Sequence, residues 1–210
     1  DDFEQVNMKQ GNWLVLARTK FMLNDLEDTL YSQGLYYQNK FKTNREQDLY
    51  TAVNDWENLR KGVDINYDQI SRISSYMSEK HFEKNCLKYM DKDARHTMQS
   101  LRERMWLKTN DVWYNAFDNA PQKKVRYIRR MRENGEKLNS TPRITLSTIH
   151  GVKGGEQDNV VLLTDLSRNT QRNYEQNPDD ENRLFYVGAT RTKNHLHVIR
   201  PKDIYKGYKI

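Results

Sequence analysis

Five consecutive apolar residues, Trp13-Leu-Val-Leu-Ala17, suit a strand buried on both faces of a parallel sheet. The next twenty residues narrow the fold further. Thr19 is placed to cap a helix, and Leu23, Leu26 and Leu30 recur at i, i+3 and i+7, one face of that helix. Gly34 then supplies a left-handed stop, and Leu35-Tyr-Tyr37 reads as a second short strand. Strand–helix–strand over residues 11–40 is the repeating unit of an α/β fold built on a parallel sheet.

The next hundred residues have a different character. Residues 41–140 show no strong strand pattern and hold a single proline, Pro121. The stretches 50–60 (Ala52, Val53, Trp56, Leu59), 70–77 and 112–117 have helical spacing. We read a helical subdomain inserted into the α/β domain. Strand signals return in 142–199, at Ile144–Ile149, Asn159–Thr164 and His195–Ile199. A polar loop, Ser167–Pro178, and a helix from about Asp180 to Lys193 separate the last two. Asp179, Asp180 and Glu181 sit at the first turn of that helix, where its dipole favours acids. The domain division is therefore 1–40 with 141–210, and 41–140.

The 210 residues carry a formal charge of +6, which favours polyanionic partners. The charge is concentrated: residues 121–140 hold seven Lys and Arg against Glu133 and Glu136. Cys86 is the only cysteine, so no internal disulfide can form and a reducing compartment is expected. No apolar run approaches membrane-spanning length. The chain opens at Asp1-Asp2 without an initiator Met, which reads as a fragment of a longer polypeptide.

Two segments carry chemistry. Ser147-Thr-Ile-His-Gly-Val-Lys-Gly-Gly-Glu156 follows a strand and contains three glycines, so its backbone amides can approach an anion closely. No Gly-Lys-Ser/Thr occurs anywhere, so no phosphate-binding loop of that kind cradles a triphosphate here. In Arg183-Leu-Phe-Tyr-Val-Gly-Ala-Thr-Arg191, helical spacing puts Leu184, Val187/Gly188 and Arg191 on one face, so an apolar stripe ends in a guanidinium.

In this order and separation, the string Thr-Ile-His-x-x-Lys-Gly-x-Glu before an apolar strand, and Leu-Phe-Tyr-Val-Gly-x-Thr-Arg before another, resemble motifs V and VI of superfamily 1 helicases of the UvrD/Rep type. Trp13–Lys20 resembles the strand that ends in Arg-Thr in the same motors. The resemblance covers roughly 11–40 and 142–199, the second RecA-like domain of such helicases, and the insertion occupies the place of their inserted helical subdomain without a motif match. It departs from the usual pattern at Gly155, where a leucine is common, and at Gln157, where an aromatic or apolar residue is common.

The resemblance implies specific roles. The fold is an α/β, RecA-like parallel sheet flanked by helices. Arg191 is the arginine finger; Glu156 contacts the ribose of ATP, with Gly154, Tyr186 and Gly188 beside the nucleotide. Arg18, Thr148, His150 and Lys153 hold DNA. The cofactor is ATP with Mg²⁺, whose metal ligands belong to the first motor domain, absent from this chain. The partners are single-stranded DNA, single-strand/duplex junctions and that first RecA-like domain; no membrane is expected. The setting is cytoplasmic, in a bacterium or as a phage protein in its host. The chain alone is expected to be inactive, as the C-terminal part of an ATP-dependent helicase or translocase. A non-catalytic nucleic-acid-binding or adaptor domain, and the motor subunit of a helicase-nuclease, are the alternatives. His195 and His197 share a strand face but lack a third ligand, and His81, Cys86 and His96 lack zinc-site spacing, so no metal site is expected. The aromatics Tyr50, Trp56, Trp106, Trp113 and Tyr114 suit core packing better than base stacking.

Overall fold

The computed structural model describes residues 2–42, 47–137, 141–152, 155–203 and 205–209. Two compact units emerge, residues 1–44 with 129–210 and residues 45–128.

In the first unit five parallel strands form one sheet: β1 (Trp13–Ala17), β2 (Tyr37–Asn39), β3 (Ile144–Thr148), β4 (Gln157–Leu163) and β5 (Thr192–Ile199), in the order β2-β3-β1-β4-β5. This is the α/β, RecA-like architecture expected. The apolar run Trp13–Ala17 becomes the central strand, every residue buried. Its alternation divides two cores. Trp13, Val15 and Ala17 face Leu23, Leu26 and Leu30 of helix α1 (Leu23–Gln33), together with Ile144 and Leu146. Leu14 and Leu16 face the other way, against Ile149, Leu162 and Phe185.

The C-terminal end of α1 shows how its exposed carbonyls are satisfied. Gly34 takes the left-handed conformation (φ 69°, ψ 36°), and Leu35 N–H reaches back to the Leu30 carbonyl at 3.0 Å. Asn134 donates to the carbonyls of Gln33 and Gly34 at 2.8 and 3.0 Å, and Arg130 donates to that of Ser32. Several local expectations shift. Thr19 precedes a short 3-10 helix, Lys20–Met22, without a side-chain capping bond, and its buried Oγ1 has no partner among the described residues; α1 begins only at Leu23. Leu35 and Tyr36 are buried before the strand, which runs Tyr37–Asn39.

The second unit contains α2 (Gln47–Arg60), α3 (Tyr67–Ser75), α4 (Met98–Glu103) and α5 (Trp113–Ala116). Among its described residues, extended pairing is limited to the isolated bridges Ile65–His96 and Phe82–Leu107. Its core is aromatic: Tyr50, Trp56 and Trp113 are buried, and Trp56 packs against Phe117 while its indole N–H donates to the Asp111 carbonyl at 3.1 Å. Buried Asp55 accepts from Gln69 and Arg72 on the neighbouring helix. Trp106 is only half-buried and carries the Arg104 guanidinium over its ring.

Helix α6 (Gln122–Glu133) carries most of the basic run, with Val125, Tyr127, Ile128 and Met131 buried. The segment expected as a polar loop contains helix α7 (Arg168–Gln176) instead, capped by Ser167 Oγ, which accepts from the Thr170 amide. Its inward face is carried by Thr170 and the half-buried Tyr174, one turn apart, which gives too weak an apolar pattern to mark a helix. Helix α8 runs Asp179–Ala189, shorter than expected at its C-terminal end. No helix among the described residues is long and apolar enough to cross a membrane.

Gly34→Ala strains a left-handed backbone by about 1–2 kcal/mol, and its Cβ would also meet Arg130 Cβ and, at 2.8 Å, the Arg130 backbone carbon. The urea unfolding midpoint should fall accordingly, and an unchanged midpoint would contradict this packing. Burial, with the Glu83 charge beside it, pushes the Cys86 thiol up to about 11. At pH 8 its thiolate fraction is therefore on the order of one in a thousand, and alkylation should run roughly a hundredfold slower in the native protein than in denaturant.

Candidate functional site

All five strands point the same way, so their C-terminal ends form one edge of the sheet, where open α/β sheets place ligands. Three neighbouring strand ends supply it. β1 delivers Arg18-Thr-Lys20, β3 delivers Ile149-His-Gly151, and β2 delivers Lys40 and Phe41. The β1 and β3 loops are tied together by the Ile149 N–H, which donates to the Ala17 carbonyl at 3.0 Å.

An open cleft of about 720 Å³ lies at this edge, lined by Arg18, His150, Asp180, Glu181 and Arg183, with Asn173 and Gln176 of α7. Arg18 is gripped from one side. Its Nε and Nη2 donate to the two carboxylate oxygens of Glu181, each at 2.8 Å, a bidentate pair that fixes the plane of the guanidinium. Glu181 is only 5% exposed. Arg18 Nη1 has no partner among the described residues, so the fork keeps one free donor arm at the cleft.

Sequence alone marks Glu181 only as one acid of a first turn. A further signal is present in the spacing: Glu181, Phe185 and Gly188 stand at i, i+4 and i+7, and these three are the buried face of α8. The expected stripe of Leu184, Val187/Gly188 and Arg191 overlaps the true one only at Gly188. Leu184 and Val187 are half-buried and line the cleft. Gly188 turns to the sheet, where an added Cβ would stand 3.1 Å from Leu162 Cδ1 and 3.3 Å from Ile149 Cγ2. Its missing side chain lets α8 lie close on β4 rather than opening room in the cleft.

Thr148 is buried, and its Oγ1 accepts from the Gly151 amide at 3.1 Å, so it shapes the turn that exposes His150. Gly151 has no room for a side chain: a Cβ there would be 2.9 Å from Ser147 Oγ and 3.3 Å from Phe41 Cζ.

The other predicted residues lie at the opposite edge. The β3–β4 connection carries the chain from the C-terminal edge, at Thr148, to the N-terminal edge, where Glu156 is exposed ahead of β4. α8 runs the same way, from Glu181 to a turn holding Arg191. That residue lies outside the helix, because Thr192 already pairs with Gln157 in β5. The Gln157 N–H donates to the Arg191 carbonyl at 3.0 Å, which brings Glu156 and Arg191 to neighbouring positions. The Arg191 side chain folds back on the helix end, Nε donating to the Val187 carbonyl at 3.1 Å, and it is half-buried. Tyr186 is 70% exposed. Lys153 and Gly154 lie outside the described residues. Among the described residues no group of three or more His, Cys, Asp and Glu side chains is placed to hold a metal ion, and the His197 ring packs against Trp13.

The family of UvrD-like helicase C-terminal domains matches this chain over residues 18–203. No curated protein matches it.

Removing one partner of a buried ion pair strands the other. Glu181→Ala should cost about 2–3 kcal/mol, less than a fully enclosed pair because the Arg18 side chain is 22% exposed. Arg18→Ala should be comparable, and the double variant should cost less than the sum of the two. Additive losses in denaturant titrations would show that the two side chains are not coupled.

Proposed function

The chain belongs to the family of UvrD-like helicase C-terminal domains, and we propose that it works as the second motor domain of an ATP-dependent helicase that moves on single-stranded DNA. Residues 41–140 are, in this reading, the inserted helical subdomain of that motor. The chain has no Gly-Lys-Ser/Thr phosphate loop, so its contribution to hydrolysis is the outer half of a shared site. ATP would supply the phosphoanhydride bond, and the acids that hold Mg²⁺ would belong to the first motor domain.

The observation that supports this reading is the backbone pairing of Gln157 with Arg191, which brings the Glu156 and Arg191 backbones together at one edge of the sheet. A carboxylate accepts from ribose hydroxyls. A guanidinium anchored through Nε keeps its terminal nitrogens for charge developing on the γ-phosphate, the arginine-finger role. Tyr186, exposed on the turn before, flanks the nucleotide. Gly188 acts indirectly, by letting α8 seat close to the sheet. At the other edge, His150 and the free arm of Arg18 meet phosphate oxygens of the DNA strand, with Thr148 holding the turn.

Two links join these edges. The β3–β4 connection has Thr148 and His150 at one end and Glu156 at the other. α8 has Glu181, which holds Arg18, in its first turn and Arg191 just past its last, a span of about 15 Å at helical rise. A shift of either end imposed by nucleotide is thus carried to the DNA contacts, which is how a coupling free energy between two sites arises.

In the whole motor, Arg191→Ala should lower kcat at least about a thousandfold while nucleotide binding persists; a near-normal turnover number would remove the finger role. Hydrolysis by wild-type motor should be stimulated by single-stranded DNA, and the 210 residues alone should not hydrolyse ATP. A whole protein without DNA-stimulated hydrolysis would instead fit a non-catalytic binding domain.

A further inference from the structure

Helix α8 has a further partner that neither the ion pair nor the nucleotide reading uses. After β5 the chain turns back and runs antiparallel to the segment that follows β4. Asp165 and Gly207 form an antiparallel bridge. The Tyr208 N–H donates to the Thr164 carbonyl at 2.8 Å, and the Leu166 N–H donates to the Lys206 carbonyl at 3.3 Å. Gly207 is buried, and a Cβ there would collide with the Pro201 ring and stand 3.2 Å from the Thr164 carbonyl oxygen. Asp203 ties the turn, accepting from the Tyr205 amide and the Lys206 ammonium. Residues 205–209 lie beyond the span of 18–203 that the family match covers.

This return lays Tyr208 flat on Phe185 of α8, with ring centres 4.0 Å apart and planes within 1° of parallel. The Tyr174 ring of α7 packs against the same tyrosine at 5.5 Å. The Tyr208 hydroxyl donates to Asn182 Oδ1 at 3.1 Å. Burial, with Tyr174 second, raises this phenol above its usual range, so it stays a donor at neutral pH. On the buried face of α8, Glu181 is engaged by Arg18 and Gly188 has no side chain. Phe185 is the one large apolar group of that face, held between the core of Leu14, Leu16 and Leu162 and the Tyr208 ring. The stack therefore resists a roll of the helix about its axis.

We propose that Tyr208 is a positioning residue for hydrolysis, which sets the rotation of α8 and through it the Arg191 guanidinium and the Arg18–Glu181 pair. This rests on the reading of Arg191 as the arginine finger. Arg191 follows the helix cap Thr190, and its Nε is bonded to the Val187 carbonyl of α8, so a roll of the helix moves the guanidinium with it. A misplacement of about 1 Å at a reacting group is enough to cost about a hundredfold in rate. At the other end Asn182, the acceptor for Tyr208, is next in sequence to Glu181, so the same contact bears on the pair at the cleft. A helix free to roll would no longer pass DNA binding at Arg18 on to Arg191.

The test is steady-state hydrolysis by the whole motor with and without single-stranded DNA, alongside urea unfolding. Tyr208→Ala should lower kcat by between about tenfold and a hundredfold. It should leave KM for ATP unchanged and reduce the ratio of DNA-stimulated to basal rate. Tyr208→Phe keeps the stack, loses only the bond to Asn182, and should retain the wild-type kcat and ratio. Gly34→Ala supplies the structural control: it loosens the core around α1, on the other face of the sheet, and should keep the wild-type ratio at a lowered unfolding midpoint. The ratio decides, because a loss of folded molecules lowers both rates in proportion. If Tyr208→Ala keeps the wild-type ratio, whatever its kcat, the positioning role is overturned, and a thousandfold loss in Arg191→Ala would leave the finger reading standing. If Arg191→Ala turns over normally, both fall.

Discussion

A strand buried on both faces cannot carry polar chemistry along its length, and β1 is such a strand. Its five residues divide between two cores, so the first side chain able to meet a ligand is the one just past its end, Arg18. The same constraint acts on β3, whose buried end leads through Ile149 to His150. Because the strands are parallel and adjacent, the two loops open at one edge, and the cleft follows from the sheet rather than from the loops.

Bringing a cation to the rim of an apolar core raises its own cost, and Glu181 offsets it. The carboxylate sits on the buried face of α8 in line with Phe185 and Gly188, where a lone charge would be expensive. Pairing with Arg18 satisfies both groups and sets the guanidinium plane. The pair also fixes where α8 begins relative to β1, while Gly188 fixes how closely it lies on β4. One helix is thereby held at its N-terminal turn by charge and along its length by close packing, and its far end delivers Arg191. In the proposed motor, that geometry would let α8 report between nucleotide and DNA.

The two ends of the site differ in how legible they are from sequence. Arg191 and Glu156 stand far apart along the chain, yet the resemblance pairs them, and strand pairing at Gln157 supplies the physical link. Thr148 and His150 enter the resemblance as equals, but burial gives them unequal parts: the threonine hydroxyl is spent inside the turn and the histidine is exposed. Phe41 is invisible in sequence, since one phenylalanine among lysines carries no periodic signal, and only the β2-β3-β1 order brings it beside the histidine.

Local patterns in the chain are enough for the class of fold, because an unbroken apolar run, an i, i+3, i+7 leucine face and a glycine stop depend on neighbours close in sequence. They are also enough for the family, through the strings Thr148–Glu156 and Leu184–Arg191. They misplace whatever depends on partners far away. The polar α7 looks like a loop because its inward face is carried by so few residues, and the pattern before β5 suggests a helix to Lys193 although pairing with β4 ends it at Ala189. Glu181 resembles a solvated acid because burial is a property of what covers a residue, and Arg18, which covers it, lies 163 positions away. Sequence thus determined which chemical groups are present and what elements carry them. Tertiary structure decided which of those groups face each other, since that is set by strand order and helix rotation, and neither is encoded within any single segment.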